Sequence, residues 1–292
     1  MLAIRRLLFP TDYSPCADRA FAHAVFLAER HDAELRILHV GAATTGDAPH
    51  LHAYCAPPGV RLRLRTVRSS TVASTIVAAA AEVDLVVMGT HGRRGLTRAT
   101  VGSTTETVLR TAGVPVLAVG LDADRPDPTA VARVLVPVDF SSAADGALAV
   151  GQELAALYGA RVDVLHAVHL PDLPDIYGLG LHFDGTYPTV VERAGEALQS
   201  LARRAIAPER LGEVVVRIGP PGPTILDEAE RLKAGLLVMP THGRTGLDRV
   251  AMGSVAEQVL RRAPCAVLVL SPFGRTLPLV EGASSHAEPS AA

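Results

Sequence analysis

A chain of 292 residues is long enough for about two domains. With 28 basic and 30 acidic side chains its net charge is −2, which gives no electrostatic case for nucleic acid or an anionic membrane as a partner. Hydrophobic content is 48%, yet no run approaches the roughly 18 consecutive apolar residues of a membrane span.

The opening M-L-A-I-R-R-L-L-F-P lacks the long apolar core and cleavage site of a signal peptide and reads as a first strand. Three cysteines (Cys16, Cys55, Cys265) form no C-x-x-C pair, which fits reduced thiols in a cytoplasmic protein. Cys265 falls in a predicted strand and reads as core packing. The single lysine, Lys233, lies on a predicted helix outside any glycine loop, so the G-x-x-x-x-G-K-[ST] phosphate loop is absent. A phosphate held by this chain is held by backbone, hydroxyls or arginine.

In chain order, a strand over Arg5 to Phe9 runs into Pro10-Thr11-Asp12-Tyr13-Ser14. A helix follows over Ala17 to Arg30, then a strand over Glu34 to Val40. Residues 41–59 show no helical period. The strand Arg61 to Val67 alternates arginine with apolar residues and is predicted at or near a sheet edge. A helix over Val72 to Glu82 leads to a strand over Leu85 to Met88, a glycine-rich loop, a helix over Thr104 to Thr111 and a fifth strand over Val114 to Val119. Ser103 is a plausible N-cap for that last helix. Strands alternating with helices predict an α/β domain with a parallel sheet covered on both faces.

Residues 122–130 read as a linker, after which the pattern restarts. Asp12 pairs with Asp139 and His39 with His166 at an offset of 127, and Gly92 with Gly243 and Gly102 with Gly253 at 151. The extra 24 residues lie between the second and third strands, where the second copy carries a 3.6-period pattern over Pro188 to Ala207. The first copy has no such pattern, and its crossover is predicted to be a largely irregular loop. The organisation is thus a first domain over 1–121, a second over 131–272, and a small polar tail over 273–292 predicted to be disordered.

The loop M-G-T-H-G-R at 88–93 closes with Gly102-Ser103, giving the spacing G-x2-G-x9-G-S, and it recurs at Met239 to Ser254. Glycines running from a strand into a helix N-terminus suit an anion, because the backbone can approach closely and free N–H groups point at it. With P-T-D-Y-S at 10–14 and P-V-D-F-S at 137–141, this resembles the nucleotide-binding signature of the universal stress protein family, in two tandem copies covering nearly the whole chain.

The resemblance implies tandem Rossmann-like or flavodoxin-like sheets of strand order 3-2-1-4-5, with ATP in the crevice at the carboxyl ends of strands one and four. It implies that Gly89, Gly92, Gly102, Ser103 and Thr104 cradle the phosphates. Asp12 would meet the ribose or a magnesium ion, and Val40 and Met88 would flank the adenine. Pro10, Thr11, His91, Arg93 and Thr105 complete the implied site. A weaker second site would use Pro137, Val138, Asp139, Ala167, Met239, Gly243, Gly253, Ser254 and Val255. It also implies that the fifth strands pair, so that the two halves form a pseudo-dimer; whether chains form a homodimer is left open.

Read as residues alone, several of these have plainer alternatives. Asp12 and Asp139 could tie down a loop, Val40 could be core, Gly95 and Gly246 could serve turns, and His91 and His242 could brace the loop. Arg93 and Arg244 either reach a phosphate or face water. His50 and His52 have no obvious metal partner.

The copies differ at Gly89, which becomes Pro240, a residue with no N–H and a fixed φ. They differ again at Thr104-Thr105, which become Val255-Ala256. The expectation is that the first site binds ATP and the second is weak or empty. A regulatory ATP-binding protein leads over a slow ATPase, since the loop offers no lysine and no carboxylate beyond Asp12. A nucleotide-independent interaction module is the third class.

Overall fold

The computed structural model describes residues 2–41, 54–90, 101–120, 129–169, 187–241, 252–271 and Leu277. The first half runs β1 (Arg6–Thr11), α1 (Pro15–His31), β2 (Glu34–Gly41), β3 (Arg61–Arg68), α2 (Val72–Ala80), β4 (Leu85–Gly89), α3 (Ser103–Thr111) and β5 (Val116–Val119). The second runs β6 (Arg133–Pro137), α4 (Ser142–Tyr158), β7 (Arg161–Val168), α5 (Tyr187–Ala205), β8 (Leu211–Ile218), α6 (Pro221–Arg231), β9 (Leu236–Pro240), α7 (Ser254–Arg262) and β10 (Ala266–Leu270). Three expected spans are cut at one end: α2 stops at Ala80, α5 stops at Ala205, and β5 begins two residues late, after Pro115, which lacks a ladder N–H. Cys265 is buried, as expected of core packing, but immediately precedes β10 rather than lying in it.

The ten strands of the described residues form one sheet in the order β3-β2-β1-β4-β5-β10-β9-β6-β7-β8. Each half therefore has the order 3-2-1-4-5 with parallel neighbours. The halves join through the antiparallel pair β5–β10, in the register Val116↔Val269, Leu117↔Leu268, Ala118↔Val267. Because this one pairing is antiparallel, the carboxyl ends of the two halves point to opposite ends of the sheet.

Strand alternation splits the core between the two faces. Leu7, Phe9, Leu35, Ile37, Leu85 and Val87 face α1, packing on its stripe of Ala17, Ala20, Ala24 and Leu27. Leu8, Leu38, Val40, Val86 and Met88 pack with Ile76 of α2 and with Val108 and Leu109 of α3. α1 starts where Ser14 accepts the Ala17 amide at 3.3 Å with Pro15 in its first turn, and it stops at Asp32 in the left-handed region. The matching α4 stops at Gly159 in the same conformation.

β3 is the outermost strand of the first half and is mostly exposed, as its arginines predict. In the second half, α5 covers the edge with Leu198, Leu201 and Ala202. The first half has neither helix nor strand among residues 54–60, the described part of the same crossover. Tyr54 packs there instead, 5.3 Å from Phe9 and 4.6 Å from Phe21 between ring centroids. Leu64 is left 43% exposed, whereas its counterpart Val214 packs on the core.

The halves also meet through helices. His23 Nδ1 lies 3.2 Å from the Tyr158 hydroxyl, Phe26 stacks on Tyr158 at 4.5 Å, and the Leu2 amide donates to Glu153 at 3.0 Å.

Candidate functional site: two crevices at the carboxyl strand ends

β1 ends in a turn that recurs after β6. The Asp12 carboxylate accepts the Ser14 amide at 3.1 Å, and Tyr13 between them takes φ +60°. Asp139 accepts both the Ser141 amide, at 3.0 Å, and the Ser141 hydroxyl, with Phe140 at φ +59°. Each aspartate thus has the loop-tying task left open as its plainer alternative. A non-glycine residue held left-handed costs conformational energy and marks a place the surrounding structure constrains.

A histidine of the second strand fixes each turn. His39 Nδ1 donates to the Thr11 carbonyl at 2.9 Å, and His166 Nδ1 donates to the Val138 carbonyl at 2.8 Å. A carbonyl only accepts, so the proton in each pair sits on Nδ1. The rings lie 4.7 Å from Tyr13 and 4.5 Å from Phe140. These histidines entered the sequence reading only as markers of the repeat. Their recurrence at the same offset as the aspartates was the available signal that they belong to the same turn.

The glycine loops close in the same way in both halves. The Thr90 amide donates to Val119, and the Gly102 amide returns to the Thr90 carbonyl at 2.8 Å. Thr241, Leu270 and Gly253 repeat the arrangement, with the return bond at 2.9 Å. The N-cap of α3 is Gly102, at φ −62° and ψ 141°, and not Ser103. The Gly102 carbonyl takes the first intrahelical bond, from Glu106, which makes Ser103 the first helical residue. Glycine supplies no capping side chain, so the amides of Ser103, Thr104 and Thr105 have no partner within the helix. α7 begins identically, capped by Gly253 ahead of Ser254, Val255 and Ala256. Uncapped amides and the helix dipole together suit an anion.

Gly89 is not in the left-handed region; it ends β4 in register with Val119. Its need for glycine is packing. An added Cβ would lie 2.8 Å from Cys16 Cβ and 3.0 Å from the Ala17 amide nitrogen, where α1 begins. The buried Thr105 hydroxyl donates to the Gly89 carbonyl at 2.9 Å, which braces helix to strand. Pro240 and Ala256 hold these positions in the second half, so the hydroxyl brace is absent there.

Around the second crevice the structure gathers Pro137, Val138, Asp139, Ala167, Met239, Gly253, Ser254 and Val255 on one cavity of about 230 Å³. Leu165, Pro221, Ile225, Pro240, Thr241 and Ala256 complete its largely apolar wall. Pro221 and Ile225 belong to α6 and were missed, because nothing in their local pattern separates them from core. In the first half, Pro10, Thr11, Val40, Met88 and Gly89 stand at the matching strand ends and Gly102 to Thr105 at the matching helix start. His91, Gly92, Arg93 and Gly243 lie outside the described residues, as do Gly95, Gly246, His242, Arg244, His50 and His52. Among the described residues no group of three or more histidine, cysteine or acidic side chains gathers as for a metal, and no helix is long and apolar enough to cross a membrane.

A tandem pair of flavodoxin-like halves, each with a glycine-capped helix over its strand-end crevice, is the class of protein this architecture defines. The sequence profile of the Universal stress protein family matches residues 3–54, 47–120 and 131–271. The chain belongs to that family. It is 34% identical over 209 residues to a universal stress protein of Mycobacterium tuberculosis, a stretch covering 68% of this chain and just under two thirds, 66%, of that relative's length. It is 28% identical to a universal stress protein of Mycolicibacterium smegmatis over 91% of this chain and 97% of the relative. In fold it is similar to a putative universal stress protein of Pseudomonas aeruginosa at a TM-score of 0.69, with 22% identity and 93% and 94% of the two chains covered.

Proposed function

We propose that this protein is a stress-response regulator of the cytoplasm that binds ATP in its first crevice and signals its bound state through contacts between the halves or between chains. The observation that carries the reading is the start of α3, where Gly102 leaves three amides uncapped at the carboxyl ends of β1 and β4. Open parallel sheets hold ligands at this place. In this reading the phosphates lie on the amides of Ser103 to Thr105 and the hydroxyls of Ser103 and Thr104. The adenine slides between the strand ends at Val40 and Met88. Asp12 meets the ribose or a magnesium ion. A single carboxylate fits magnesium, which keeps several waters and takes the rest of its ligands from the nucleotide phosphates.

The second crevice holds ATP more weakly, because Pro240, Val255 and Ala256 replace the glycine and two threonines. Calorimetric titration of ATP into the wild type and into Gly102→Val tests this. Gly102 has a φ that any residue adopts, so the valine tests space at the phosphates and not backbone strain. One ATP per chain, abolished by Gly102→Val, is expected. Two equal sites would refute the asymmetry, and no binding would leave an interaction module.

A further inference from the structure

Thr11, the last residue of β1, is held at both of its oxygens. His39 donates to its carbonyl, and its hydroxyl accepts the Tyr13 amide at 3.0 Å. That hydroxyl also lies 2.8 Å from the Tyr54 hydroxyl, which donates in turn to the Asp18 carboxylate at 3.0 Å. Tyr54 gives its one proton to Asp18, so Thr11 is the donor in the bond between the two hydroxyls. The bonds run in one direction, from the Tyr13 amide through Thr11 and Tyr54 to Asp18, and members of such a chain polarise and strengthen one another. The Tyr54 ring is seated on Phe9 and Phe21 and lies near-parallel to Tyr13 at 6.0 Å. Thr11 and Tyr54 are buried, whereas Asp18 is at the surface. The second turn is built otherwise. Val138 stands at the position of Thr11, so it has no hydroxyl to pass a bond outward. There Ser141 gives its hydroxyl to Asp139 and makes no cap bond to α4, whereas the Ser14 hydroxyl caps α1.

We infer that Tyr54 is a positioning residue of the first crevice: its hydroxyl, brought in by the crossover between β2 and β3, locks the turn from Thr11 to Ser14 and so sets the affinity of that crevice for ATP. This rests on the nucleotide reading, and it assigns control of the site to a side chain that touches no ligand. Asp12 lies between Thr11 and Tyr13, the two residues that the relay ties together, and Tyr13 is the one held left-handed. Without the Tyr54 hydroxyl, the buried Thr11 hydroxyl loses its acceptor and the turn loosens. A ligand must then order the turn as it binds, which lowers affinity with no ligand contact removed. The crossover thereby acts on the first crevice through one side chain.

Tyr54→Phe keeps the ring and removes only the hydroxyl. Two measurements test it: amide hydrogen exchange without nucleotide, and ATP titration. Faster exchange at the Tyr13 amide is expected, with residues 138–141 unchanged. ATP affinity at the first crevice is expected to fall about three- to tenfold at a melting temperature close to that of the wild type. Asp18→Ala supplies a sign. Loss of a negative charge by itself tightens the binding of a polyanion, whereas loss of the relay's end acceptor weakens it. Weaker ATP binding is expected from Asp18→Ala in the wild type, with no further loss in Tyr54→Phe. Unchanged exchange at the turn in Tyr54→Phe would overturn the inference whether or not ATP binds. Unchanged ATP affinity in Tyr54→Phe, or tighter binding by Asp18→Ala, would overturn it as well. A wild type that takes up no ATP would reject the nucleotide reading instead, and the exchange result would still decide whether Tyr54 locks the turn.

Discussion

At Gly89 the reason for the residue type is a neighbour distant in sequence. Cys16 and Ala17 approach so closely that a methyl group has no room. Gly89→Ala is expected to destabilise the chain by about 1–3 kcal/mol through overpacking, read as a lower urea midpoint at unchanged slope. His31, in the last turn of α1, poses a different problem: its Nε2 is buried without a hydrogen-bond partner. Burial lowers its pKa below the ordinary 6.5, and the Leu2 backbone and the Glu153 charge oppose that shift without cancelling it. The unfolded chain therefore takes up this proton first as the pH falls. The stability of the neutral form is intact above about pH 6.5 and is lost progressively below it. His31→Gln is expected to flatten the fall in melting temperature between pH 7.5 and 5.5, and an unchanged fall would show that other groups cause it.

Between elements, the two copies stabilise their outer strands by different means. In the second half Asp163 of β7 is fully buried and bonded by Arg133 through two contacts of 2.6 and 2.7 Å. Arg133 also meets Glu213 of β8, and Arg231 joins Glu213 to Glu228 on α6. The Asp163 hydrogen bonds drive the Arg133 pKa upward, and the bond from Arg231 draws Glu213 below the usual carboxylate range. In the first half the equivalent of Asp163 is Arg36, and the pairs are Arg36 with Glu34 and Glu82. Removing one partner of a buried pair strands the other. Asp163→Ala is thus expected to cost about 3 kcal/mol by chemical denaturation, at the low end for such changes because Arg133 can reach water. The crossovers diverge in the same spirit: α5 in one copy, Tyr54 and the irregular stretch 54–60 among the described residues of the other. The hydroxyl of Tyr54 donates to Asp18 at 3.0 Å, and burial raises its pKa.

For the molecule as a whole, the β5–β10 pairing decides the shape. β5 is four residues long and buried throughout. Expressed without the second half, residues 1–120 would expose it as an unpaired apolar edge, which seeks another strand. Such a fragment is expected to run as a dimer in size-exclusion chromatography with light scattering, and a monomer would show that the exposed β5 edge does not by itself drive association. The full chain satisfies that edge internally.

The strand order within each half was implied by the family resemblance. The sequence by itself determined the tandem α/β halves, the glycine loops and the positions of Asp12, Asp139, Gly102 and Gly253. All of these are written in periodicity, turn chemistry and repeat spacing, which act over a few residues or recur by duplication. Only the tertiary structure decided that Gly89 serves the packing of α1, that Gly102 and not Ser103 caps α3, and that Thr105 braces β4. It alone joined His39 and His166 to the aspartate turns and brought Ile225 to the second cavity. It also turned the two crevices to opposite ends of one sheet. These depend on which distant backbones approach each other and in which sense the central strands pair, and a local pattern of residues carries no record of either.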